Sequence, residues 1–312
     1  MGPPMTNCET IISVPRSADE HRECLAVLLD QPDVPQAQLD ARVDALVGYA
    51  ERKGLSLERC LFVRREGRIW SACLAVDAPG RMTSVFLPSA LDRLASEELL
   101  NALLTRTVQD ARARGTRVVQ ACIAPEARRE AELYRLAGFA YLAQLIYMDR
   151  DATAPTGVDP HRPNLRFESY TLDEHTRFAE IVQGTYEASL DCTALNAVRE
   201  IDDILASHRG SGPFRPELWQ SAWVGGEPIG AVLLSSPPDR WAWEVAYLGL
   251  LPAWRGRGYG RCLLAHAIAL CRAQAVPTLT LSVDAGNRPA LTLYRGFGFV
   301  ETLRRDVWMR AV

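Results

Sequence analysis

The segment Arg255-Gly256-Arg257-Gly258-Tyr259-Gly260 places glycines at alternate positions between an apolar run and a helical pattern. Residues 245 to 251 read as a buried strand that stops at Pro252, and apolar side chains recur at helical spacing after the glycines. Glycines at such a joint allow successive backbone N–H groups to turn toward one point, and the helix N-terminus adds a partial positive charge. The segment therefore predicts a site for a phosphate or pyrophosphate.

The spacing of these glycines excludes two common phosphate-binding motifs. A dinucleotide fingerprint needs Gly-x-Gly-x-x-Gly, and a Walker phosphate loop needs Lys followed by Ser or Thr, whereas the residue after Gly260 is Arg261. The remaining pattern is Arg-x-x-Gly-x-Gly at a strand-to-helix turn that follows a proline. It resembles the pyrophosphate loop of the GNAT superfamily of acyl-CoA-dependent N-acetyltransferases.

A second motif downstream strengthens this resemblance. Residues 278 to 283 alternate apolar and polar side chains as a half-exposed strand does, and a turn and a short helix follow. Asn287, Tyr294 and the pair Gly298-Phe299 match residues found after the fifth strand of GNAT proteins. The resemblance covers residues 165 to 312, and its specific motifs lie between 244 and 299.

The resemblance implies an α/β fold, with a central mixed β-sheet flanked by helices, and acetyl-CoA as the cofactor. In GNAT proteins the fourth strand splays from the fifth, and the pantetheine arm lies along the exposed strand edge, here residues 248 to 250. The backbone N–H near Leu250 would polarise the thioester carbonyl, and Gly249 would leave room for the acyl group. The resemblance assigns the following residues to cofactor binding: Leu248, Gly249, Leu250, Arg255, Gly256, Arg257, Gly258, Tyr259, Gly260, Arg261, Asn287 and Tyr294.

Two residues match catalytic positions of the family. Glu244, the carboxylate of the strand that enters the site, matches the general base of many GNAT members; alternatively it faces solvent or an arginine, or binds a cationic acceptor without proton transfer. A desolvated position beside Trp241 and Trp243 would raise its pKa and make it a stronger base. Tyr294 matches the tyrosine that protonates the departing thiolate; alternatively it only packs, since Tyr134 stands at the equivalent position of the other half.

The acceptor site is expected between residues 185 and 219, which are polar and aromatic and correspond to the region that covers the acceptor in GNAT proteins. Asp191, Asp202 and Asp203 in this region either receive a cation or form a solvated face. The candidate acceptor-binding residues are Tyr186, Asp191, Trp219 and Trp243.

The two halves of the chain repeat each other. Residues 133 to 139 parallel residues 293 to 299, and this offset of 160 indicates a duplication into two like domains. We predict a degenerate GNAT-like domain over 1–150, a proline-rich linker over 151–163 and a catalytic GNAT domain over 164–312.

The first copy lacks residues that the site requires. Residues 89 to 95, where its loop should lie, contain no glycine, and Ala127 falls near the position of Asn287. This copy is predicted to be structural or to form one wall of the acceptor cleft. A tandem protein with one competent copy also resembles mycothiol synthase, although nothing in residues 185 to 219 specifies a thiol-sugar acceptor.

Composition excludes several classes of protein. The 312 residues suffice for two domains, and their 48% hydrophobic content includes no apolar run of membrane-spanning length. A net charge of −3 gives no basic surface for nucleic acid. Eight cysteines are scattered without Cys-x-x-Cys spacing, so we predict a reduced, cytoplasmic protein without a metal site.

The sequence thus predicts a transferase that moves an acetyl or short acyl group from acetyl-CoA to a primary amine of a small molecule, by direct attack of the amine on the thioester. Nucleic acid and membranes are not expected as partners. Two alternatives stay open: a protein or peptide N-acetyltransferase, and a non-catalytic acyl-CoA-binding sensor or scaffold.

Overall fold

The computed structural model describes residues 11–31, 35–88, 96–158, 162–237 and 241–312. The chain forms two compact units, one of Met1–Tyr141 with Trp308–Val312 and the other of Leu142–Val307. Each unit is a mixed β-sheet with helices packed on its faces, as the α/β prediction requires.

The first unit carries helices on both faces of a sheet with the strand order β1-β2-β3-β4-β5, in which β4 and β5 are parallel and the other neighbours antiparallel. One core cluster includes Leu100, Leu103 and Leu104, and another includes Cys24 and Val43. Its elements are β1 (Ile12–Ser13), α1 (Ala18–Leu29), α2 (Gln36–Lys53), β2 (Cys60–Arg65), β3 (Arg68–Ala78), β4 (Met82–Phe86), α3 (Glu97–Ala113), β5 (Val118–Ile123) and α4 (Arg128–Leu136).

The second unit contains the remaining elements, except for the first two residues of β6 and the last four of β12. They are β6 (Ala140–Asp151), β7 (Leu165–Ser169), α5 (His175–Gly184), α6 (Thr193–Asn196), α7 (Ile201–Arg209), β8 (Trp219–Val224), β9 (Glu227–Ser235), β10 (Ala242–Leu250), α8 (Tyr259–Ala273), β11 (Thr278–Asp284), α9 (Arg288–Gly296) and β12 (Val300–Ala311). The strand order is β6-β11-β10-β9-β8-β7, with β10 and β11 parallel and the other neighbours antiparallel. Helix α8 packs with β11 in one core cluster, and α5 packs with β8 and β9 in another.

The repeat predicted from the sequence is confirmed at the level of whole elements. The pairs β4 and β10, β5 and β11, α4 and α9, and β6 and β12 each begin 160 residues apart. In both repeats the only parallel neighbours among the described registers are the two strands that precede and follow the long helix, β4 with β5 and β10 with β11.

The compact units divide the chain earlier than the predicted linker. Strand β6, the last strand of the first repeat, pairs antiparallel with β11 from Asp151 opposite Thr278 to Leu145 opposite Asp284. Because this pairing joins β6 to the sheet of the second unit, the unit begins at Leu142 and not at the linker. The ranges 1–150, 151–163 and 164–312 stay a proposal for the extent of the two repeats and their linker.

The strands β10 and β11 separate partway along their length. They pair from Ala242 opposite Thr278 to Val245 opposite Leu281, and the register of β10 against β9 shifts between Val245 and Tyr247. Such a β-bulge bends its strand and interrupts the ladder. Past Val245, no described strand pairs with the edge of β10 that faces β11.

The helices are amphipathic and pack their apolar faces against the sheets. In α8 the buried residues include Leu263, Leu264 and Ile268, which recur at helical spacing on one face. Across the described ranges, no helix combines the length and the apolar character needed to span a bilayer.

Candidate active site

A cavity of about 400 Å³ opens where β10 and β11 separate. Its walls are residues 245–250 of β10, Ser282 and Val283 of β11, one side of α9 that includes Tyr294, and residues 188–191, which follow α5. The structure thus brings the predicted strand edge at 248–250 and the predicted acid Tyr294 to one cavity.

The glycine loop lies between β10 and α8. Gly256 and Gly258 have φ values of +72° and +82°, which L side chains rarely adopt. None of the five N–H groups of residues 256 to 260 makes a well-formed hydrogen bond to an acceptor within the described chain. Since α8 begins at Tyr259, these N–H groups lie at the positive end of a 15-residue helix. The loop has the geometry that binds an anion.

The Arg255 side chain is committed to the protein. Its Nε donates to the Leu250 carbonyl at 3.0 Å, Nη1 to the Ala188 carbonyl at 2.9 Å, and Nη2 to the carbonyls of Thr185 and Glu187 at 2.9 and 2.7 Å. The guanidinium therefore braces the glycine loop against β10 and the segment after α5. Four of its five N–H donors are occupied by these carbonyls, and cofactor binding by Arg255 stays a prediction.

Gly249 is required for a reason other than the predicted one. A Cβ atom there would lie 2.5 Å from the Tyr247 hydroxyl and 2.7 Å from Thr185 Oγ1. These two hydroxyl groups are 2.6 Å apart and hydrogen-bonded. The space beside Gly249 is thus filled by Tyr247 and Thr185 and is not left open for an acyl group. Burial raises the pKa of Tyr247 to about 12, against the hydrogen bond to Thr185, which lowers it.

Tyr294 presents its hydroxyl to the cavity. Its ring is 7% exposed and packs against Phe299 with centroids 5.8 Å apart. No group among the described residues forms a hydrogen bond with its hydroxyl. Burial first, and the charge of Asp191 second, raise the pKa of Tyr294, so its phenol is neutral and carries a proton at physiological pH.

Asn287 caps helix α9. Its Oδ1 accepts the N–H of Ala290 at 3.3 Å, as the side chain of an N-cap residue does. Ala127 is the N-cap residue of α4 and provides no such bond. This contact gives Asn287 a structural role, and its role in cofactor binding stays a prediction.

Glu244 lies on β10 beyond the cavity wall. It pairs with Ser235 on β9 and with Thr280 on β11, and it is half-buried. Because Tyr247 pairs with Leu233, two residues before Ser235, Glu244 and Tyr247 share one face of the sheet. Glu244 does not line the cavity, and its role as the base stays a prediction.

The two tryptophans near Glu244 do not bury it as expected. Trp241 is 86% exposed, whereas Trp243 lies in the core with α8 and stacks on the Arg215 guanidinium at 5.4 Å. Since side chains alternate along a strand, Trp243 and Glu244 point to opposite faces of the sheet.

The candidate acceptor residues separate into two groups. Asp191 lines the cavity, and Tyr186 stacks on the cavity residue Tyr247 with ring centroids 5.0 Å apart. Trp219 is 2% exposed and stacks on Phe178 inside the core. Trp219 and Trp243 are therefore core residues, which aromatic content alone does not distinguish from site residues.

Sequence reasoning missed Arg162, which lies beside the glycine loop. Its Nη1 donates to the Arg257 carbonyl at 3.0 Å, and its guanidinium lies 5.1 Å from the centre of the Tyr259 ring. A Cβ atom on Gly258 would lie 3.2 Å from its Nη2. Arg162 falls in the proline-rich stretch that reads as a linker, so only the tertiary structure reveals this cation at the anion site.

Two carboxylates and a thiol come together at the cavity residue Asp191. One ligand atom each of Asp191, Cys192 and Asp284 lies within 4.8 Å of the others. Asp284 accepts the N–H of Cys192 at 3.1 Å and that of Gly286 at 2.8 Å, so both its oxygens bind backbone groups. Through these hydrogen bonds Asp284 anchors two turns. They account for its position without a metal ion.

The chain resembles known acetyltransferases in sequence and fold. Residues 182–299 match the model of the acetyltransferase (GNAT) family. The peptidyl-lysine N-acetyltransferase YjaB of Salmonella typhimurium is 30% identical over 113 residues, which cover 36% of this chain and 68% of that protein. A GCN5-related N-acetyltransferase from Sphaerobacter thermophilus has a similar fold, with a TM-score of 0.62 at 19% identity over 97% of this chain and 95% of that one.

A second kind of relative matches over a shorter part of its length. The mycothiol acetyltransferase of Thermobifida fusca is 34% identical over 101 residues, which cover 30% of this chain and 27% of that protein. The chain therefore spans about a quarter of the length of this relative.

Proposed function

Because the chain belongs to the acetyltransferase (GNAT) family, we propose that it transfers an acetyl or short acyl group from acetyl-CoA to the primary amine of a small molecule. The observation that carries this proposal is the row of unpaired N–H groups at residues 256 to 260, next to a cavity that reaches Tyr294.

The glycine loop fits the pyrophosphate of coenzyme A. Successive N–H groups at the start of α8 complement phosphate oxygens, and Gly256 and Gly258 hold the backbone in the conformation that aims them. Arg162, held on the Arg257 carbonyl, adds a positive charge at the same place. The residues present therefore fit this cofactor.

The free edge of β10 fits the thioester. Leu251 donates its N–H to the Ile229 carbonyl on β9 at 2.9 Å. Since N–H groups alternate in direction along a strand, the N–H of Leu250 points to the opposite edge, toward the cavity. This direction supports the proposed role of the Leu250 N–H, which is to stabilise the charge that develops on the carbonyl oxygen.

The proton transfers are assigned to residues around the cavity. Acetyl-CoA supplies the acyl thioester that the amine attacks. Tyr294 is proposed to protonate the departing thiolate, because its hydroxyl faces the cavity in its protonated form. Glu244 stays the family-based candidate for the base.

A second candidate function is acetylation of lysine side chains in peptides. It is supported by the similarity to YjaB, whose name describes a peptidyl-lysine N-acetyltransferase.

Release of the coenzyme A thiol tests these functions. We expect release from acetyl-CoA with members of a panel of small primary amines, at a higher kcat/KM than with a lysine-containing peptide. A preference for the peptide would favour the second candidate. Tight binding of coenzyme A without release by any amine or peptide would favour an acyl-CoA sensor.

A further inference from the structure

The segment that carries Asp191 is held in a strained conformation. Ala188 and Cys192 have φ values of +47° and +42°, in the left-handed region that non-glycine residues seldom occupy. Arg255 donates to the Ala188 carbonyl at one end of this segment, and Asp284 accepts the Cys192 N–H at the other. Such strain persists where the surroundings over-determine it. These contacts fix where Asp191 stands on the cavity wall.

The Asp191 carboxylate faces the cavity with little compensation from the protein. Its Oδ1 accepts the N–H of Asp284 at 3.2 Å, and no other group in the described ranges donates to this carboxylate. No arginine, lysine or histidine of those ranges forms an ion pair with it. Burial raises the pKa of Asp191, the Asp284 N–H opposes this shift, and the charge of Asp284 adds to it.

Phenols surround this carboxylate and supply no positive charge. The ionisable groups that face it are Tyr186 after α5, Cys192 on its own segment, Tyr247 on β10, Asp284 at the end of β11 and Tyr294 on α9.

The cations that act on these phenols are bound elsewhere. Arg199, which acts on Tyr186, donates to the Asp203 carbonyl, and Arg255, which acts on Tyr247, is held by four carbonyls. The ring centroids of His208 and Tyr247 are 5.6 Å apart. Burial, together with the charge of Arg199, lowers the pKa of His208 to about 4, so its imidazole is neutral at physiological pH. Among the described residues, none supplies a cation to Asp191, and a half-buried carboxylate is stabilised by one.

We propose that Asp191 binds the ammonium group of the acceptor beside the thioester and accepts its proton. This inference rests on the proposed function and specifies its substrate class: a primary amine that is protonated in solution. Rings of Tyr247 and Tyr294 on the same cavity favour a cation further.

The proton transfers balance. Asp191 takes one proton from the ammonium and leaves a neutral amine, whose nitrogen forms the new C–N bond as the C–S bond breaks. The second N–H proton reaches sulfur through the Tyr294 hydroxyl, and Asp191 returns the first proton to water. The net products are the amide, the thiol and one released proton.

Other acidic residues of the region do not face the cavity. Asp202 has a side chain that is 78% exposed and contacts His175, and Asp203 is buried on α7. Asp202 therefore provides a matched control for a charge change near, but outside, the cavity.

The test compares pH profiles of Asp191→Asn, Glu244→Gln and Asp202→Asn, with the best small amine of the panel as substrate. If Asp191 takes the proton, kcat/KM of the wild type is level between the pKa of Asp191 and that of the amine. Asp191→Asn should lower it by about 10²- to 10⁴-fold at pH 7. Its profile should then rise tenfold per pH unit, because only the neutral amine reacts. Asp202→Asn should match the wild type.

A second measurement separates this role from a structural one. Calorimetric titration with coenzyme A should give Asp191→Asn an affinity within about threefold of the wild type, since the cofactor loop is untouched. If that variant does not bind coenzyme A, Asp191→Ser, which leaves the Asp284 N–H to water, replaces it.

The outcomes distinguish the two proposals. A level pH profile in Asp191→Asn, or a rising one in Glu244→Gln alone, would overturn the role of Asp191 and leave the acetyltransferase function standing. A wild type that releases no thiol with any amine would overturn the proposed function, and the role of Asp191 with it.

Discussion

Tyr134 and Tyr294 occupy equivalent positions of the two repeats, yet their hydroxyl groups have different surroundings. The Tyr134 hydroxyl donates to the Val85 carbonyl on β4 at 3.4 Å, and its ring packs edge-on against Phe139. The Tyr294 hydroxyl faces the cavity that separates it from β10. The Tyr134 hydroxyl is therefore used within its own repeat, whereas the Tyr294 hydroxyl is available for chemistry.

Replacing Tyr294 by phenylalanine tests the proposed acid. Tyr294→Phe should lower kcat by about 10²-fold, because the thiolate loses its proton donor while the ring keeps its packing. The melting temperature should change little, since no hydrogen bond within the described chain is lost. Thiol release and thermal unfolding measure the two effects.

The control is the same substitution in the other repeat. Tyr134→Phe removes the hydrogen bonds of the hydroxyl with the backbone of Val85 and Leu87, worth about 1 kcal/mol each, and should leave kcat unchanged. Equal rates in the two variants would reduce Tyr294 to a wall of the cavity.

At the residue scale, motif positions could be predicted from the sequence, and burial could not. Tyr294 and the loop glycines follow from local spacing. Trp219 is predicted to bind the acceptor because it lies in an aromatic stretch. In the structure it is a core residue, and Phe178 stacks on it. Tyr247 was missed because the β-bulge, which no local pattern marks, turns its side chain toward Thr185.

The loop between β10 and α8 depends on backbone conformation. Gly258 has a φ of +82°, and its N–H belongs to the row that is proposed to bind pyrophosphate. A side chain at such a φ costs about 1–2 kcal/mol, which the loop relieves by leaving the anion-binding conformation. Binding must restore that conformation. Gly258→Ala should therefore weaken coenzyme A binding about 5- to 30-fold in calorimetry.

Gly226 provides a matched control in the turn between β8 and β9. It has a φ of +91° with open space at the position of a Cβ atom. Gly226→Ala should carry a similar conformational cost in unfolding experiments without weakening coenzyme A binding. An equal loss of affinity in both variants would mean that general destabilisation, and not the loop, weakens binding.

At the scale of elements, the strand, loop and helix around residues 245 to 271 follow from local signals: an apolar run, a proline, glycines and helical periodicity. The strand that pairs with β6 cannot be predicted from local signals. The equivalent strand of the second repeat, β12, begins 160 residues later but shares little sequence with β6. The pairing of β6 with β11 depends on long-range contacts, which periodicity does not encode.

At the scale of the whole molecule, the two repeats differ in the strand that precedes the long helix. Strand β10 has nine residues and continues past the point where it leaves β11, whereas β4 has five and ends at Phe86. The shorter strand offers no long free edge to a pantetheine arm, and the Tyr134 hydroxyl bonds to it at Val85. The loop predicted to lack glycine, residues 89–95, lies outside the described residues.

We therefore expect one coenzyme A per chain. The second repeat has the N–H row, the cavity and the free strand edge, whereas in the first repeat Tyr134 contacts β4 and α4 lacks a capping side chain at Ala127. Calorimetry with coenzyme A should give a stoichiometry of one. Gly258→Asp should abolish that binding, because a fixed carboxylate at this φ opposes the phosphates by charge and by shape. A residual site in Gly258→Asp, or two sites in the wild type, would mean that the first repeat binds the cofactor through contacts other than a glycine loop.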